Sequence, residues 1–165
     1  MENEKEFEIK RLLNAPLDLV WKVHTEAKHM QHWWGPKGFK MVKCDLDLKP
    51  GGILHYGLQA PDGSTMWGKL TYREIIPQSK LVTVVSFSDE NCGITRHPMS
   101  DKWPLETINH VTFKEIAGKT EITIKSKPLN ALPVEIEMFN NSFEGMNQGF
   151  GGMFETLEDY LKSQN

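Results

Sequence analysis

The segment PVEIEMFNNSFEGMNQGFGGMFETLEDYLKS, residues 133–163, decides the fold. Its large apolar side chains recur every three or four residues, at Ile136, Phe139, Phe143, Met146, Phe150, Met153, Phe154, Leu157 and Leu161. This period of about 3.6 residues predicts one long helix with a single apolar face. Such a face is stable in water only when another layer of the fold covers it.

The residues before this helix supply the second layer as strands. FEIKRLL (7–13) alternates apolar and charged residues, and Pro16 then predicts the start of a short helix that extends to about Thr25. Six strand-like segments follow, separated by turns such as KPGG (49–52) and PDGS (61–64). Successive antiparallel strands curl into one sheet, and only the final helix is long enough to cover its concave face. The predicted class is α+β.

Composition narrows the classes of protein. The 165 residues suit a single domain, 1–165, and a net charge of −3 does not favour a nucleic-acid partner. The N-terminal MENEKEFEIK is charged, and no apolar run reaches the length of a membrane span. Cys44 and Cys92 have no CxxC partner and are interpreted as reduced thiols. These features together predict a cytoplasmic protein.

Glycines interrupt the final helix. Gly145, Gly149 and Gly152 fall on one stripe beside its apolar arc, although glycine destabilises a helix interior by up to about 1 kcal/mol relative to alanine. Either the stripe lets a strand or loop approach the helix backbone closely, or the missing side chains leave volume for a ligand. The first explanation is preferred, and the two are compatible.

Several motifs resemble one family along nearly the whole chain. They are WWGP (33–36), PGG (50–52), DGSTMWGKLTYREIIP (62–77), SFSDE (86–90), TRHPMSDKWPLE (95–106) and MNQGFGGMFETLEDYL (146–161). With the order of elements, they resemble the START-like (SRPBCC) superfamily, and within it the family related to the C-terminal domain of the activator of the heat-shock protein 90 ATPase. The resemblance implies a helix-grip fold, in which a curved antiparallel sheet surrounds a long C-terminal helix and encloses a cavity.

That superfamily includes lipid carriers, hormone receptors, polyketide cyclases and co-chaperone domains, so fold alone does not fix function. The resemblance favours binding of a small apolar or amphipathic ligand in the cavity. No cofactor is expected. A cyclase- or hydrolase-like enzyme and a co-chaperone or interaction module are the alternatives, although no catalytic motif is visible. The eukaryotic activator has a separate N-terminal domain that this sequence lacks, which argues against a chaperone partner. A homodimer is left open.

The stretch HMQHWWGPKGF (29–39) contains the first candidate site. His24, His29 and His32 have helical spacing, but no neighbouring Cys, Asp or Glu completes a zinc site, so no metal is predicted. His24 is expected at the edge of the first helix's apolar face, and the other two on a solvated face. Trp33 and Trp34 are expected near the mouth of the cavity, with one in the core and the other in the wall.

The long irregular connection 89–104 contains the second candidate. Its Arg96, His97 and Trp103 suit contacts with a ligand carboxylate or phosphate, because a guanidinium donates two hydrogen bonds to such groups. The equally weighted alternative is that Arg96 forms a structural salt bridge and His97 caps a turn. If the ligand is acidic, Arg96 and His97 are predicted to make its polar contacts.

The third group lies on strands and on the final helix. Tyr56, Trp67 and Phe87 on strands are predicted to line the cavity with Phe143, Met146 and Phe150 of the helix. Alternation places His55 and Tyr56 on opposite faces, and likewise Asn109 and His110. The sequence does not decide which member of each pair points inward.

Overall fold

The computed structural model describes residues 5–164, so residues 1–4 and 165 of the predicted domain lie outside the described part. Its strands are β1 (Phe7–Leu13), β2 (Lys40–Leu46), β3 (Ile53–Gln59), β4 (Thr65–Ile76), β5 (Lys80–Ser88), β6 (Ile94–Thr95), β7 (Glu106–Ile116) and β8 (Lys119–Leu129). Its helices are α1 (Leu17–Thr25), α2 (Ala27–Met30), α3 (Pro133–Asn140) and α4 (Phe143–Ser163).

The strands form one antiparallel sheet in the order β1-β8-β7-β5-β4-β3-β2, and the short β6 pairs with β5. Hairpins connect β2 to β3, β3 to β4, β4 to β5 and β7 to β8. β1 pairs with β8, so the first and last strands among residues 5–164 lie side by side. The sheet with its long C-terminal helix confirms the predicted helix-grip fold.

Helix α4 packs its apolar face on the sheet. Phe154 and Leu157 are fully buried, and Phe150 stacks on Phe7 of β1 with ring centroids 5.7 Å apart. Burying a leucine or phenylalanine side chain stabilises a fold by about 1.5–3 kcal/mol. The C-terminal helix is therefore held mainly by the core that it shares with the sheet.

The predicted single helix over 133–163 is wrong in one respect, because two helices occupy this segment. α3 ends at Asn140, α4 begins at Phe143, and the Ser142 hydroxyl donates to the Met138 carbonyl oxygen at 2.7 Å. Serine and asparagine side chains compete with helical backbone bonds and bend helices in this way. The apolar period runs across the break, since Ile136 and Phe139 of α3 are buried too.

No helix within residues 5–164 is both long and apolar enough to cross a membrane.

Candidate functional site

A cavity of about 300 Å³ lies between α4 and the concave face of the sheet and is open to solvent. Most of its lining is apolar, and the lining residues are Trp34, Gly35, Pro36, Tyr56, Leu58, Met66, Val85, Phe87, Asn109, Met146, Gly149, Phe150 and Met153. The cavity thus combines side chains from the α2–β2 connection, four strands and the C-terminal helix.

A smaller cavity of about 50 Å³ lies beside it, towards the core. Trp34, Asn109, Phe150 and Met153 line both cavities. The lining of the smaller cavity also includes core residues such as the fully buried Leu54. The two cavities therefore share part of their walls, and Asn109 lies at their junction.

The two tryptophans have different environments. Trp33 is 2% exposed, and its indole N–H donates to the Val23 carbonyl oxygen at 2.9 Å. Trp34 is half-buried, contacts Trp33 and Tyr56 edge to face, and forms a wall of the large cavity. Trp33 therefore belongs to the core, where it also lines the small cavity, and Trp34 faces the open volume.

Strand register decides which aromatic side chains point inward. Tyr56 pairs with Gly68 on the concave face, and a Cβ at Gly68 would lie only 2.4 Å from the tyrosine ring. Gly57 pairs with Trp67 on the opposite, convex face, and a Cβ there would lie 2.7 Å from the indole. Each glycine thus makes room for one aromatic ring on its own face.

The prediction that Trp67 lines the cavity is therefore wrong. Its ring stacks on His55 on the convex face, with centroids 5.3 Å apart, because strand alternation sends residues 55 and 67 away from Tyr56. The His55 Nε2 lies 3.0 Å from the Asp89 carbonyl oxygen, which fixes the start of the long connection. Phe87 lies on the concave face and does line the cavity.

Arg96 and His97 do not line either cavity. Arg96 forms an ion pair with Glu135 of α3 and donates to the Trp103 carbonyl oxygen at 3.3 Å. The His97 Nδ1 accepts the Met99 N–H at 2.9 Å, and its ring packs on Phe87. These are the salt bridge and the turn cap of the structural alternative, so the placement does not support contacts with a ligand in the cavity.

Trp103 lies between these two regions. Its ring packs on Phe139 of α3, with centroids 5.6 Å apart. It also lines a third cavity of about 70 Å³, whose wall shares Tyr56, Val85 and Phe87 with the large one. Trp103 therefore borders a side pocket next to the large cavity.

Of the three α4 residues predicted to line the cavity, two do and one does not. Met146 and Phe150 line the large cavity. Phe143 is not among the residues that line it and instead packs edge to face between Phe7 and Phe139, at 5.5 Å from each. As the first residue of α4, it lies where α3 and β1 meet, so its predicted place in the cavity wall is wrong.

The glycine stripe of α4 faces open space. A Cβ at Gly145, Gly149 or Gly152 would have no atom within 4 Å, so the preferred explanation, close approach of another backbone, is wrong for these three. Gly149 lines the large cavity, where the missing side chain leaves volume, and Gly145 lies outside it. This contrast makes the two positions a matched pair for substitution.

The early histidines are packed side chains. His24 is 8% exposed rather than at an edge, and its Nδ1 lies 2.8 Å from the Val20 carbonyl oxygen. The His29 Nδ1 lies 2.7 Å from the Tyr160 hydroxyl, so His29 is not on a solvated face, whereas His32 is exposed and stacks on Tyr160. Within residues 5–164, no three His, Cys, Asp or Glu side chains are grouped to hold a metal ion.

The titratable groups of the cavities are uncharged at pH 7. Burial lowers the pKa of His24 to about 4, against the opposing effect of its bond with Val20. Burial raises the pKa of Tyr56 and, with the nearby Cys44, that of Tyr72. The lining residues within the described part include no Asp, Glu, Lys or Arg, so the walls are electrically neutral.

The predicted site omitted several wall residues, which are Leu58, Met66, Val85, Asn109, Gly149 and Met153. Alternation from Tyr56 and Phe87 places Leu58 and Val85 on the same face as these aromatic residues. Asn109 was a strand candidate whose direction the sequence left open. The inward direction of Tyr56 was therefore the signal that could have located its neighbours.

Comparisons with known proteins agree with this architecture. A family model described as "Activator of Hsp90 ATPase homolog 1-like protein" matches residues 14–162. A solved structure from Arthrobacter aurescens has 23% identity and a TM-score of 0.78, over 96% of this chain and 86% of that one. One from Mycobacterium smegmatis has 20% identity and a TM-score of 0.77, over 97% and 92%.

A third structure, of a Silicibacter pomeroyi protein named for the same family, has 13% identity and a TM-score of 0.74, over 98% of this chain and all of that one. At these identities the structures show a shared fold. A search of curated proteins found no match to the chain.

Proposed function

The chain belongs to the Activator of Hsp90 ATPase homolog 1-like family, and on that premise we propose that it binds a small apolar or amphipathic molecule in the cavity between α4 and the sheet. The START-like fold of this family is in general that of a ligand-binding domain. The observation that supports the proposal is the open volume of about 300 Å³ behind a mostly apolar wall.

The size and chemistry of the cavity suit such a ligand. Small-molecule sites enclose about 300–1,000 Å³ and are lined mainly by apolar and aromatic side chains with few polar groups. This cavity is at the lower end of that range, and the neighbouring 50 Å³ adds depth. Transfer of an apolar molecule from water to this wall is favourable because it removes apolar surface from solvent on both sides.

Aromatic rings form a large part of the wall. Trp34 and Tyr56 contact each other edge to face, and Phe87 and Phe150 line the same volume. Rings packed in this way present both faces and edges, which favours flat or ring-containing ligands. Trp34 is also a spectroscopic reporter within the site.

The test is titration with neutral two-ring aromatics, isoprenoid alcohols and fatty acids, followed by tryptophan fluorescence and by the melting temperature. A ligand that binds only the folded chain stabilises it by about 2.7 kcal/mol at a concentration one hundred times its Kd. We expect at least one of the neutral classes to raise the melting temperature in a concentration-dependent manner.

A matched pair of variants locates the binding site. Gly149→Leu fills the large cavity, and Gly145→Leu adds the same side chain on α4 outside it; neither new Cβ meets an atom within 4 Å. Gly149→Leu is expected to weaken binding by about tenfold or more, because overfilling a site displaces its ligand, while Gly145→Leu retains it. Equal loss in both variants, or no binding by any class to the unmodified chain, would refute the proposal.

A further inference from the structure

Three polar side chains lie in a row across the concave face of the sheet. Asn109 of β7 pairs directly with Thr83 of β5 on one side and with Ser126 of β8 on the other. Directly paired residues of antiparallel strands project to the same face. Thr83 and Ser126 are 3% and 2% exposed, so this polar line lies beneath the helix rather than at the surface.

Thr83 of this line borders the smaller cavity, and Asn109 is the member that lines both cavities. Its Oδ1 has less than 1 Å² of accessible surface and receives no hydrogen bond from any residue within 5–164. Leaving a buried acceptor without a donor destabilises a fold by about 1–3 kcal/mol. Native proteins rarely tolerate this except where a ligand, ion or water supplies the missing partner.

The surroundings restrict what that partner can be. The walls within the described residues include no charged side chain, and a buried anion without a paired cation is strongly disfavoured. Arg96, the cation that the sequence predicts to contact an acidic ligand, is already paired with Glu135. A hydrogen-bond acceptor in a neutral, apolar site favours a ligand that is itself mostly apolar and that carries an uncharged hydrogen-bond donor.

We infer that the ligand is a neutral molecule with an apolar, ring-sized body and a hydroxyl or N–H group, and that the Asn109 side-chain oxygen accepts this donor at the junction of the two cavities. The inference rests on the proposed function and adds the chemical class of the ligand. Asn109 is thereby assigned as the residue that distinguishes alcohols and phenols from hydrocarbons of the same shape.

Recognition requires a small movement of the amide. In the structure the Oδ1 is turned away from accessible space, although Asn109 as a residue retains partial exposure in the cavity wall. The terminal torsion of asparagine is broad, so the amide rotates without crossing between staggered wells. Rotation brings the oxygen to the cavity, where a ligand donor satisfies it.

The test uses three compounds that share one ring system: 2-naphthol, 2-methylnaphthalene and 2-naphthoate. Their affinities for the full chain are measured by titration calorimetry at pH 7. We expect 2-naphthol to bind about tenfold more tightly than 2-methylnaphthalene, which corresponds to about 1.4 kcal/mol and to one satisfied hydrogen bond. The anionic 2-naphthoate is expected to bind most weakly.

Two neighbouring substitutions isolate the acceptor. Asn109→Leu keeps the approximate size of the side chain and removes the acceptor, so the preference for 2-naphthol is expected to disappear while 2-methylnaphthalene binds at least as well. His110→Leu alters the next residue, which projects to the opposite face of β7, and is expected to retain the preference. The unbound Asn109→Leu variant is also expected to melt at a higher temperature, because the unpaired oxygen is gone.

The outcomes separate the two proposals. Equal affinity of the unmodified chain for 2-naphthol and 2-methylnaphthalene overturns the inference and leaves the cavity as a binding site. Tightest binding of 2-naphthoate overturns it as well, because a neutral ligand is then not preferred. Absence of binding by all three ring compounds overturns the inference. In that case the proposed function fails as well only if the isoprenoid alcohols and the fatty acids also do not bind. The comparison of compounds on the unmodified chain does not depend on how the variants fold.

Discussion

Two short segments look alike in sequence and differ in the structure. The tryptophan corner, residues 33–36 (WWGP), and the arginine loop, residues 95–98 (TRHP), both combine large side chains with a proline. In the arginine loop, Arg96 pairs with Glu135 and His97 caps the turn at Met99. In the tryptophan corner, Trp34 faces a cavity that no protein atom fills. Polar side chains whose hydrogen bonds and ion pairs are already made within the fold are poor candidates for contacting a ligand, even when their chemistry suits it.

Replacement of Trp33 tests the contrast between Trp33 and Trp34 within the tryptophan corner. It is expected to have the largest effect on the free energy of unfolding. Trp33→Ala removes a side chain that is 2% exposed and leaves a hole in the core. Such substitutions lower the free energy of unfolding by about 3–5 kcal/mol. Urea denaturation followed by far-ultraviolet circular dichroism measures this change.

Trp34→Ala is the matched control, because Trp34 is half-buried and borders open volume. We expect it to lower stability by less than half as much as Trp33→Ala and to weaken ligand binding. A larger loss of stability from Trp34→Ala than from Trp33→Ala would contradict the assignment of one ring to the core and the other to the wall.

The next prediction concerns pH and His24, which packs against Trp33 with ring centroids 4.7 Å apart. Burial lowers its pKa from 6.5 to about 4 in the folded chain. Between these values the unfolded chain binds the proton and the folded chain does not, so stability falls as the pH falls from 6.5 to 4. The full loss is about 3 kcal/mol.

The measurement is the free energy of unfolding at several pH values for the unmodified chain and for His24→Met. Carboxylates titrate near the lower end of the same window, so the difference between the two proteins isolates the histidine. The variant is expected to lose less stability than the unmodified chain between pH 6.5 and 4. Parallel pH profiles would show that His24 does not titrate in this window.

The fold was predictable because it depends on patterns that tertiary contacts do not override. The apolar face of the last helical segment and the apolar face of the alternating strands each require a covering layer. The helix and the sheet supply that layer for each other. The break between α3 and α4 was not predictable from the period, which continues through it. At the break, the Ser142 hydroxyl bonds to the Met138 carbonyl oxygen. The sequence does not indicate whether such a hydroxyl bonds to the helix backbone or to water.

The residue types of the site were predictable from the sequence, but the directions in which the strand side chains point were less so. A strand alternates whichever face it turns to the core, so the sequence could not distinguish Tyr56 from His55 or Asn109 from His110. Trp67 was assigned to the wrong face for this reason, since the decisive feature is the register that places it opposite Gly57. The Arg96 pairing depends on α3, which is about 40 residues away in sequence, and no local pattern indicates it.

The arginine loop provides the last prediction. Glu135 is buried, with 5% of its side chain exposed, whereas 45% of the Arg96 side chain is exposed. Burial raises the pKa of Glu135, but bonds from the Leu132 N–H and from Arg96 outweigh it, so the pKa lies below its ordinary value of 4.5. The carboxylate is therefore held in its charged form by two partners, one of which a substitution can remove.

Arg96→Met leaves Glu135 buried without its cation. Removing one partner of a fully buried pair destabilises a fold by about 3–5 kcal/mol, and the solvent exposure of Arg96 reduces the expected loss to about 2 kcal/mol. The loss is expected above pH 4.5 and shrinks in acid, where Glu135 becomes protonated in both proteins. Adding Glu135→Leu to the variant should recover much of the stability, as a double-mutant cycle measures. Affinities for 2-naphthol and 2-naphthoate are expected to stay unchanged, because Arg96 does not line the cavity; a selective loss of 2-naphthoate binding would instead give the arginine loop a role in ligand recognition.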